Sequence, residues 1–175
     1  MKINIRNAVQ EDCARIRPLQ KEIADLHHQG RPDLFKEEAR YFTEEAFSER
    51  LTSPKHTVLI AETEDGTVVG YAFAWVNSYR NHSTYNDFDC FYIDDICVLK
   101  AFRKNGIGHM LFDACKTLAK ERQCKIIELG VWTFNIDAIA FYKSCGMTDR
   151  IRRMEYRLEV GERFTLSIRS DHYEC

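Results

Sequence analysis

The stretch DDICVLKAFRKNGIG, residues 94–108, joins an alternating strand to a helix through a basic turn that contains two glycines. The helix is indicated by apolar residues that recur along one face, namely Met110, Leu111, Ala114, Cys115, Leu118 and Ala119. A helix N-terminus offers backbone N–H groups without intrahelical partners and a positive dipole end, and both attract phosphate. Gly106 and Gly108 let the backbone approach an anion closely. Because Arg103 and Lys104 add positive charge, the stretch predicts a pyrophosphate-binding turn.

Two sequence blocks carry a family resemblance. The pattern Arg-x-x-Gly-x-Gly over residues 103–108 resembles the acetyl-CoA pyrophosphate loop of the GCN5-related N-acetyltransferase (GNAT) superfamily. A second block, Asn-x-x-Ala-x-x-Phe-Tyr-x-x-x-Gly over residues 135–146, is similar to the later motif of that family, in the same order and at the same spacing. The sequence is therefore identified as a member of this superfamily. Its strand YIDDI, residues 92–96, looks most like the branch that contains diamine and polyamine acetyltransferases.

Composition excludes several classes of protein. The length of 175 residues suits one domain, and the net charge of −2 argues against a nucleic-acid binder, which usually carries a basic excess. No apolar run is long enough to span a membrane, and the N-terminus lacks the apolar core of a signal peptide. The seven cysteines include no CxxC pair, which favours reduced core thiols over disulfides or a zinc site. We therefore expect a cytoplasmic protein without a metal, a nucleic-acid partner or a membrane partner.

Apolar periodicity predicts a mixed order of helices and strands, and hence an α/β (α+β) domain. The expected helices cover residues 11–27, with a kink or late start at Pro18, and residues 43–52 and 136–144, and a further helix opens at His109 and carries the apolar stripe from Met110 to Ala119. The expected strands cover residues 3–6, 57–61, 68–76, 91–98, 125–131 and 152–158. Between the third and fourth strands, residues 77–89 are predicted to form a polar, aromatic loop. The resemblance implies the GNAT fold, whose mixed central sheet has splayed middle strands and flanking helices.

The predicted domain covers residues 1–160, and residues 161–175 form a C-terminal extension. The alternation FTLSI at residues 164–168 suits an added edge strand or a dimer arm, whereas a disordered tail is the third alternative. The resemblance also allows a homodimer, because dimers are common in the family.

Acetyl transfer from a thioester to an amine needs a proton acceptor near the amine and a proton donor near the departing sulfur. The resemblance makes Tyr142 the general acid; alternatively, it is a core aromatic like Phe141. It also places a carboxylate at Asp94, a candidate general base. Strand alternation is expected to send Asp94 and Asp95 to opposite faces. Alternatively, Asp94 attracts a cationic substrate or caps a loop, and water deprotonates the amine.

The resemblance implies which residues hold acetyl-CoA. The main chain of Ile96, Cys97 and Val98 would contact the acetyl group and the pantetheine arm. The pyrophosphate would be enclosed by the turn residues Arg103, Lys104, Asn105, Gly106, Ile107 and Gly108. Asn135 would bind the cofactor arm, cap the helix that begins at Ile136, or do both. Tyr142 would lie beside the cofactor sulfur.

Residues for the acceptor amine are less sharply indicated. His27, His28 and Phe35 fall where the family forms one wall of the acceptor cleft, although histidines at a helix end are more often capping or solvated groups. Tyr85 and its loop would form the opposite wall, suited to a cation through aromatic and acidic side chains, unless the loop is simply solvated. Asp94 would complete the site. We expect an N-acetyltransferase for a small primary amine such as a polyamine; the alternatives are a protein or peptide N-acetyltransferase and a non-catalytic acyl-CoA sensor.

Overall fold

The computed structural model describes residues 1–37, 39 and 42–158. Its sheet has five strands in the order β1-β2-β3-β4-β5. The strands are β1 (Ile3–Asn7), β2 (His56–Thr63), β3 (Val68–Tyr79), β4 (Phe88–Val98) and β5 (Ile126–Leu129). The helices are α1 (Asp12–Arg15), α2 (Arg17–Gly30), α3 (Glu44–Thr52), α4 (Ile107–Glu121) and α5 (Ile136–Ser144), and a 3₁₀ turn covers Lys100–Phe102. The expected α+β class is confirmed.

The sheet changes character at its last pair of strands. Strands β1 to β4 pair antiparallel in sequence order, whereas β5 pairs parallel with β4. A parallel neighbour needs a crossover connection, and α4 provides it. The β4–β5 ladder runs from the pair Cys90–Ile126 to the pair Ile93–Leu129. Beyond Ile93, β4 continues without β5, so the two strands part. We refer to the region between the end of β4 and the chain that follows β5 as the cleft.

Each face of the sheet carries its own apolar core. On one face, side chains from the central strands pack against α4, and this core includes Phe91, Ile93, Ile107 and Leu111. On the other face, strand residues such as Tyr71, Phe73 and Cys97 pack against α1, α2 and α3. The cleft at the end of β4 therefore lies between two helical layers.

The first predicted helix is interrupted, as expected from its proline. Helix α1 ends at Arg15, and α2 begins at Arg17 with Pro18 in its first turn, where a missing N–H costs no intrahelical bond. The third helix begins after Thr43, whose hydroxyl accepts a hydrogen bond from the Ala46 N–H at 3.2 Å. This side-chain cap explains why the predicted start was correct.

A buried carboxylate fixes α1 against β1. The Asp12 side chain is fully buried and lies 2.6 Å from the guanidinium groups of both Arg6 and Arg15. It also accepts the Val9 N–H at 2.9 Å. These partners lower the pKa of Asp12 although burial opposes the shift. The carboxylate is therefore a structural anchor.

Two predictions on elements were wrong. The loop predicted for residues 77–89 is shorter, because β3 extends to Tyr79 and β4 begins at Phe88, where the two rings stack at 4.7 Å. The strand predicted for residues 152–158 is absent, since those residues pair with none of the described strands. Instead, Glu155 binds Arg31 and Arg157 binds Asp33. The apolar side chains of this segment are 72–87% exposed, namely Ile151, Met154, Tyr156 and Leu158. Charged contacts thus replace a sheet partner.

The expectations about cysteines, membrane spans and the C-terminal extension can be compared with the described residues alone. The described cysteines are Cys13, Cys90, Cys97, Cys115, Cys124 and Cys145, and all are free thiols. Within the described ranges, no helix has the length and apolar character needed to cross a membrane. The extension at residues 161–175 and the domain boundary at residue 160 lie outside the described residues.

Candidate active site

The turn between β4 and α4 is built from backbone that favours close approach. Gly106 has a left-handed backbone conformation, with φ +78°. It immediately precedes Ile107, the first residue of α4. Lys104 has φ +64°, which a residue with a Cβ adopts at a cost. The first N–H groups of α4 have no intrahelical carbonyl to bind. The turn therefore presents donors and a positive dipole end to an anion.

Two side chains of this turn brace it from within. Arg103 donates through Nε to the Val98 carbonyl at 2.9 Å and binds Glu22 of α2 at 3.2 Å. Asn105 donates to the carbonyls of Phe102 and Arg103, each at 3.2 Å. The Arg103 side chain thus ties the turn to α2. That Arg103, Lys104 and the main-chain N–H groups of the turn enclose the pyrophosphate stays a prediction.

Gly108 has a packing role that its sequence motif does not reveal. A Cβ at this position would lie 3.1 Å from the Phe141 ring of α5. Next to it, the His109 ring packs edge-on against Phe141 at 5.1 Å, and its Nε2 lies 3.3 Å from Ser144 Oγ. Gly108 therefore lets α4 and α5 approach closely. This contact places α5 beside the pyrophosphate turn.

The main chain at the end of β4 borders the cleft. Ile96 and Val98 point to the α4 core, whereas Cys97 points to the opposite core with its thiol 3.5 Å from the Leu19 carbonyl. Their side chains are packing groups, as expected. Because the β4–β5 ladder ends at Ile93, the β5-facing edge of these residues has no strand partner in the described chain. That edge can hydrogen-bond an extended ligand.

Helix α5 contributes Asn135 and Tyr142. Asn135 caps the helix through Oδ1, which accepts the Ala138 N–H at 3.1 Å. Tyr142 lies one residue beyond Phe141, and the two rings are 5.1 Å apart. Burial and the nearby charge of Asp95 raise the pKa of Tyr142, so its hydroxyl stays protonated at neutral pH. The Tyr142 ring packs against the core beneath α4, and its hydroxyl lies near enough to Asp95 for that charge to act on it.

A bulge in β4 changes the expected direction of two carboxylates. Phe73 of β3 pairs with Asp95 and the next residue, Ala74, pairs with Ile93, so Asp94 is an extra residue in the ladder. Directly paired residues point to the same face, and Phe73 lies in the core beneath α1–α3. Asp95 therefore points to that face, as does Asp94, which binds Arg50 of α3. The prediction that the two point to opposite faces was wrong because alternation fails at a bulge.

Asp94 is the outer carboxylate. Its side chain is 34% exposed and lies 3.5 Å from the Arg50 guanidinium. Partial burial raises the pKa of Asp94, while the positive charge of Arg50 and, when protonated, that of His56 oppose the increase. The carboxylate is thus already balanced by a cation, and Arg50 itself stacks on the Phe42 ring at 4.1 Å.

Asp95 is the inner carboxylate. Its Oδ2 accepts a short hydrogen bond from the Tyr71 hydroxyl. Burial raises the pKa of Asp95 to about 7, and the negative charge of Asp94 contributes to the increase, whereas the Tyr71 hydrogen bond opposes it. In the described part of the chain, no cation pairs with this carboxylate. Asp95 is therefore poised to titrate near neutral pH.

The predicted acceptor residues at the end of α2 form an aromatic wall. His27 stacks on Phe35 at 4.9 Å, and burial lowers the pKa of His27. His28 donates through Nδ1 to the Phe35 carbonyl at 2.8 Å. Both histidines therefore shape the turn after α2. The wall continues to Trp132, which lies after β5 and packs edge-on against Phe35 at 5.2 Å.

Tyr85 is not brought to this cleft. It packs with Tyr79, His82 and Phe88 around the tip of the β3–β4 hairpin. That tip is at the opposite end of β4 from the pyrophosphate turn, and the strand from Phe88 to Asp94 alone spans about 20 Å. We therefore leave Tyr85 out of the acceptor site.

These elements combine a phosphate-binding helix start, a strand edge open to an extended ligand and a protonated tyrosine beside two carboxylates. A model of the acetyltransferase (GNAT) family matches residues 21–147. The chain belongs to this family. The protein is accordingly an N-acetyltransferase, and acetyl-CoA is its co-substrate. The described residues of this GNAT protein contain no group of three or more side chains able to hold a metal ion.

Known proteins resemble the chain over most of its length. Thialysine N-epsilon-acetyltransferase of Bos taurus is 28% identical over 154 residues, which are 84% of this chain and 85% of that protein. N-alpha-acetyltransferase 60 of Danio rerio is 34% identical over 108 residues, 54% of this chain and 44% of that protein. The structure of a tetramutant of BH1408 protein from Bacillus halodurans has a TM-score of 0.85 and 29% identity, with 89% of this chain and 99% of that chain covered. An aminoglycoside N-acetyltransferase in complex with CoA, 20% identical, shares the fold with a TM-score of 0.65 over 89% of this chain and 99% of that chain.

Several residues of this GNAT site were missed from sequence. Tyr71 comes from the middle of an apolar strand, and nothing local distinguishes it from a core aromatic. Trp132 and Phe134 did carry a signal, because two aromatics follow directly after a short strand. Phe134 packs so closely on α2 that a Cβ at Gly30 would lie 2.4 Å from its ring. The wall thus joins α2 to the segment after β5.

Proposed function

We propose that this GNAT protein acetylates the primary amine of a small, cationic molecule. The observation that carries the proposal is the pair of carboxylates, Asp94 and Asp95, on the α1–α3 face where β4 leaves β5. A protonated amine is attracted to this negative charge. The aromatic wall of Phe35 and Trp132 supplies a surface for its apolar part. The match to thialysine N-epsilon-acetyltransferase supports an amine of this kind.

The cofactor side of the proposed reaction relies mainly on backbone. The N-terminus of α4 holds the pyrophosphate, and the open edge of β4 at residues 96–98 aligns the pantetheine arm and polarises the thioester carbonyl. Asn135 keeps its Nδ2 group available, because its Oδ1 makes the helix cap. Binding energy along this extended surface orients the acetyl group toward the carboxylates.

Tyr142 is the proposed general acid. Its raised pKa keeps the phenol protonated, so it can donate its proton as the thiolate departs. Its position on α5 is fixed by the contact of Phe141 with Gly108. That contact brings α5 beside the cofactor turn, which supports the assignment of Tyr142 to the site.

A cytoplasmic location and a homodimer stay predictions.

The function is tested by release of free CoA from acetyl-CoA in the presence of thialysine, spermidine, an aminoglycoside, amino acids and N-terminal peptides. We expect release that depends on a small amine. Tyr142→Phe should lower kcat by about 10²-fold or more while the KM for acetyl-CoA stays close to that of the wild type. The matched control Tyr79→Phe, at the far hairpin, should retain wild-type turnover. Equal turnover of Tyr142→Phe and wild type would contradict the assignment of Tyr142 as the general acid.

A second candidate is N-terminal acetylation of peptides. It is favoured by the local match to N-alpha-acetyltransferase 60, which is higher in identity but shorter than the match to the thialysine enzyme. The same panel separates the two candidates. Turnover of peptides but not of spermidine or thialysine would replace the small-molecule acceptor with a peptide.

A further inference from the structure

Asp95 is a partly buried carboxylate that lacks the usual compensation. An ionised carboxylate inside a protein is costly unless a cation or several donors compensate it. Within the described ranges, the donor that Asp95 receives is the Tyr71 hydroxyl, at Oδ2. Among the described side chains, the fully buried polar atoms without a hydrogen-bond partner belong to Gln20 and Thr57, not to Asp95. The second oxygen of Asp95 therefore retains access to solvent.

The groups around Asp95 come from every element packed against it. Tyr71 of β3 donates to it, and Asp94 and Cys97 are its charged and titratable neighbours on β4. Tyr142 of α5 feels the Asp95 charge from across the cleft. On this face, the Arg50 cation of α3 and the titratable His56 of β2 act on Asp94. The missing partner of Asp95 is thus a cation, and the cleft is where one can enter.

On the basis of the proposed function, we propose that the acceptor's ammonium group is that cation and that Asp95, held by Tyr71, accepts its proton. Asp94, the family-derived candidate for the base, is paired with Arg50 and instead sets the local charge. The bulge at Asp94 makes this possible, since it turns both carboxylates to the same face of the sheet, the one covered by α1–α3. Tyr142, the proposed proton donor on α5, lies near enough to Asp95 to feel its charge.

The protons balance in this scheme. The Asp95 carboxylate takes one proton from the ammonium, which leaves a neutral amine whose lone pair forms the new N–C bond at the thioester carbonyl. The C–S bond breaks, and the sulfur leaves with its electron pair and takes the Tyr142 proton. The second proton that nitrogen loses restores Tyr142, and Asp95 releases its proton to solvent. The products are the N-acetyl amine, free CoA and one proton.

The scheme sets the direction of the pH dependence. Activity needs ionised Asp95, so kcat/KM should rise with pH through about 7. This rise forms the acidic limb of the pH profile. The Tyr71 hydrogen bond favours the carboxylate, so Tyr71→Phe should move this limb to higher pH. The negative charge of Asp94 disfavours it, so Asp94→Asn should move the limb to lower pH.

The test is the pH profile of kcat/KM, measured with the amine that the wild-type enzyme turns over best in the CoA-release panel. We expect Asp95→Asn to lose about 10²–10⁴-fold in kcat/KM, with the limb near pH 7 abolished. Asp95→Glu should recover a limb, and Tyr71→Phe and Asp94→Asn should shift it in opposite directions. The exposed carboxylate variant Asp113→Asn is the control and should keep the wild-type profile. Circular dichroism of each variant verifies folding.

The outcomes separate this inference from the proposed function. Wild-type turnover with an unchanged limb in Asp95→Asn would overturn the role of Asp95 and leave the acetyltransferase assignment standing. A shift of the limb in the same direction in Tyr71→Phe and Asp94→Asn would likewise overturn the role of Asp95 and leave the acetyltransferase assignment standing. If none of the amines in the panel supports CoA release by the wild-type enzyme, the small-amine function is overturned, and the Asp95 proposal with it.

Discussion

Two carboxylates, the fully buried Asp12 and the partly buried Asp95, contrast a structural group with a proposed chemical one. Asp12 lies between the guanidinium groups of Arg6 and Arg15 and accepts a backbone N–H, which together lower its pKa. Asp95 has one neutral donor, Tyr71, and burial raises its pKa to about 7. A carboxylate that has cationic partners within the protein stabilises the fold. A carboxylate without such a partner is a candidate site for a cationic ligand.

The largest difference should appear in stability. Asp12→Asn removes the fully buried anion that Arg6 and Arg15 share and leaves them with Glu62, their other partner. We expect a loss of about 3 kcal/mol in the free energy of unfolding. Urea unfolding followed by tryptophan fluorescence measures it. A loss below about 1 kcal/mol would show that Asp12 is not the anchor described above.

Asp95→Asn should have the opposite profile. The amide keeps the shape of the carboxylate and removes a charge that the interior opposes, so the free energy of unfolding at pH 8 should be equal to or greater than that of the wild type. The same urea titration applies, with Asp113→Asn as the control. Marked destabilisation would place Asp95 with Asp12 as a structural group.

The pH dependence of stability should separate the pair further. The folded-state pKa of Asp95 is raised, so its stabilising contribution is complete below about pH 4 and is lost as pH rises through about 7. The pKa of Asp12 is lowered, so its contribution is present above about pH 4 and is lost as the pH falls through the folded-state pKa. Urea unfolding of wild type, Asp12→Asn and Asp95→Asn from pH 3 to 8 measures both slopes. Parallel curves would contradict the contrast.

The smallest effect is expected from the partner of Asp95. Tyr71→Phe removes one neutral hydrogen bond but keeps the ring, which packs against Phe73 at 4.9 Å. We expect a loss of about 0.5–1.5 kcal/mol in the free energy of unfolding. Removing one cation from Asp12, by Arg15→Gln, should cost more under the same conditions. Reversal of this order would mean that the Tyr71–Asp95 pair is mainly structural.

Local sequence signals predicted much of the fold. The bounds of α5, the start of α3 after Thr43 and the interruption near Pro18 follow from caps, motif and proline chemistry, which act within one helical turn. The late strand at residues 152–158 was wrong because alternation specifies a strand's faces but not its partner. The bulge at Asp94 escaped prediction for a related reason, since it depends on the register of β3 against β4.

The site was predictable where the motif fixes backbone and less so where side chains meet from distant elements. Gly106 and Tyr142 follow from their motifs, whereas the turn of Arg103 toward Glu22 depends on where α2 lies. The Tyr71–Asp95 contact likewise joins two strands through a register that no single segment encodes. Such contacts decide which carboxylate carries a proton.

The most direct test of the contrast is a carbon-13 NMR titration of the aspartate carboxyl carbons in the intact protein, with Asp12→Asn and Asp95→Asn used to assign the two signals. We predict that the Asp95 carbon titrates near pH 7 and the Asp12 carbon below the ordinary aspartate value of about 3.9. An Asp95 signal that titrates at or below about 4 would contradict the account, because the carboxylate would then already be as well compensated as Asp12.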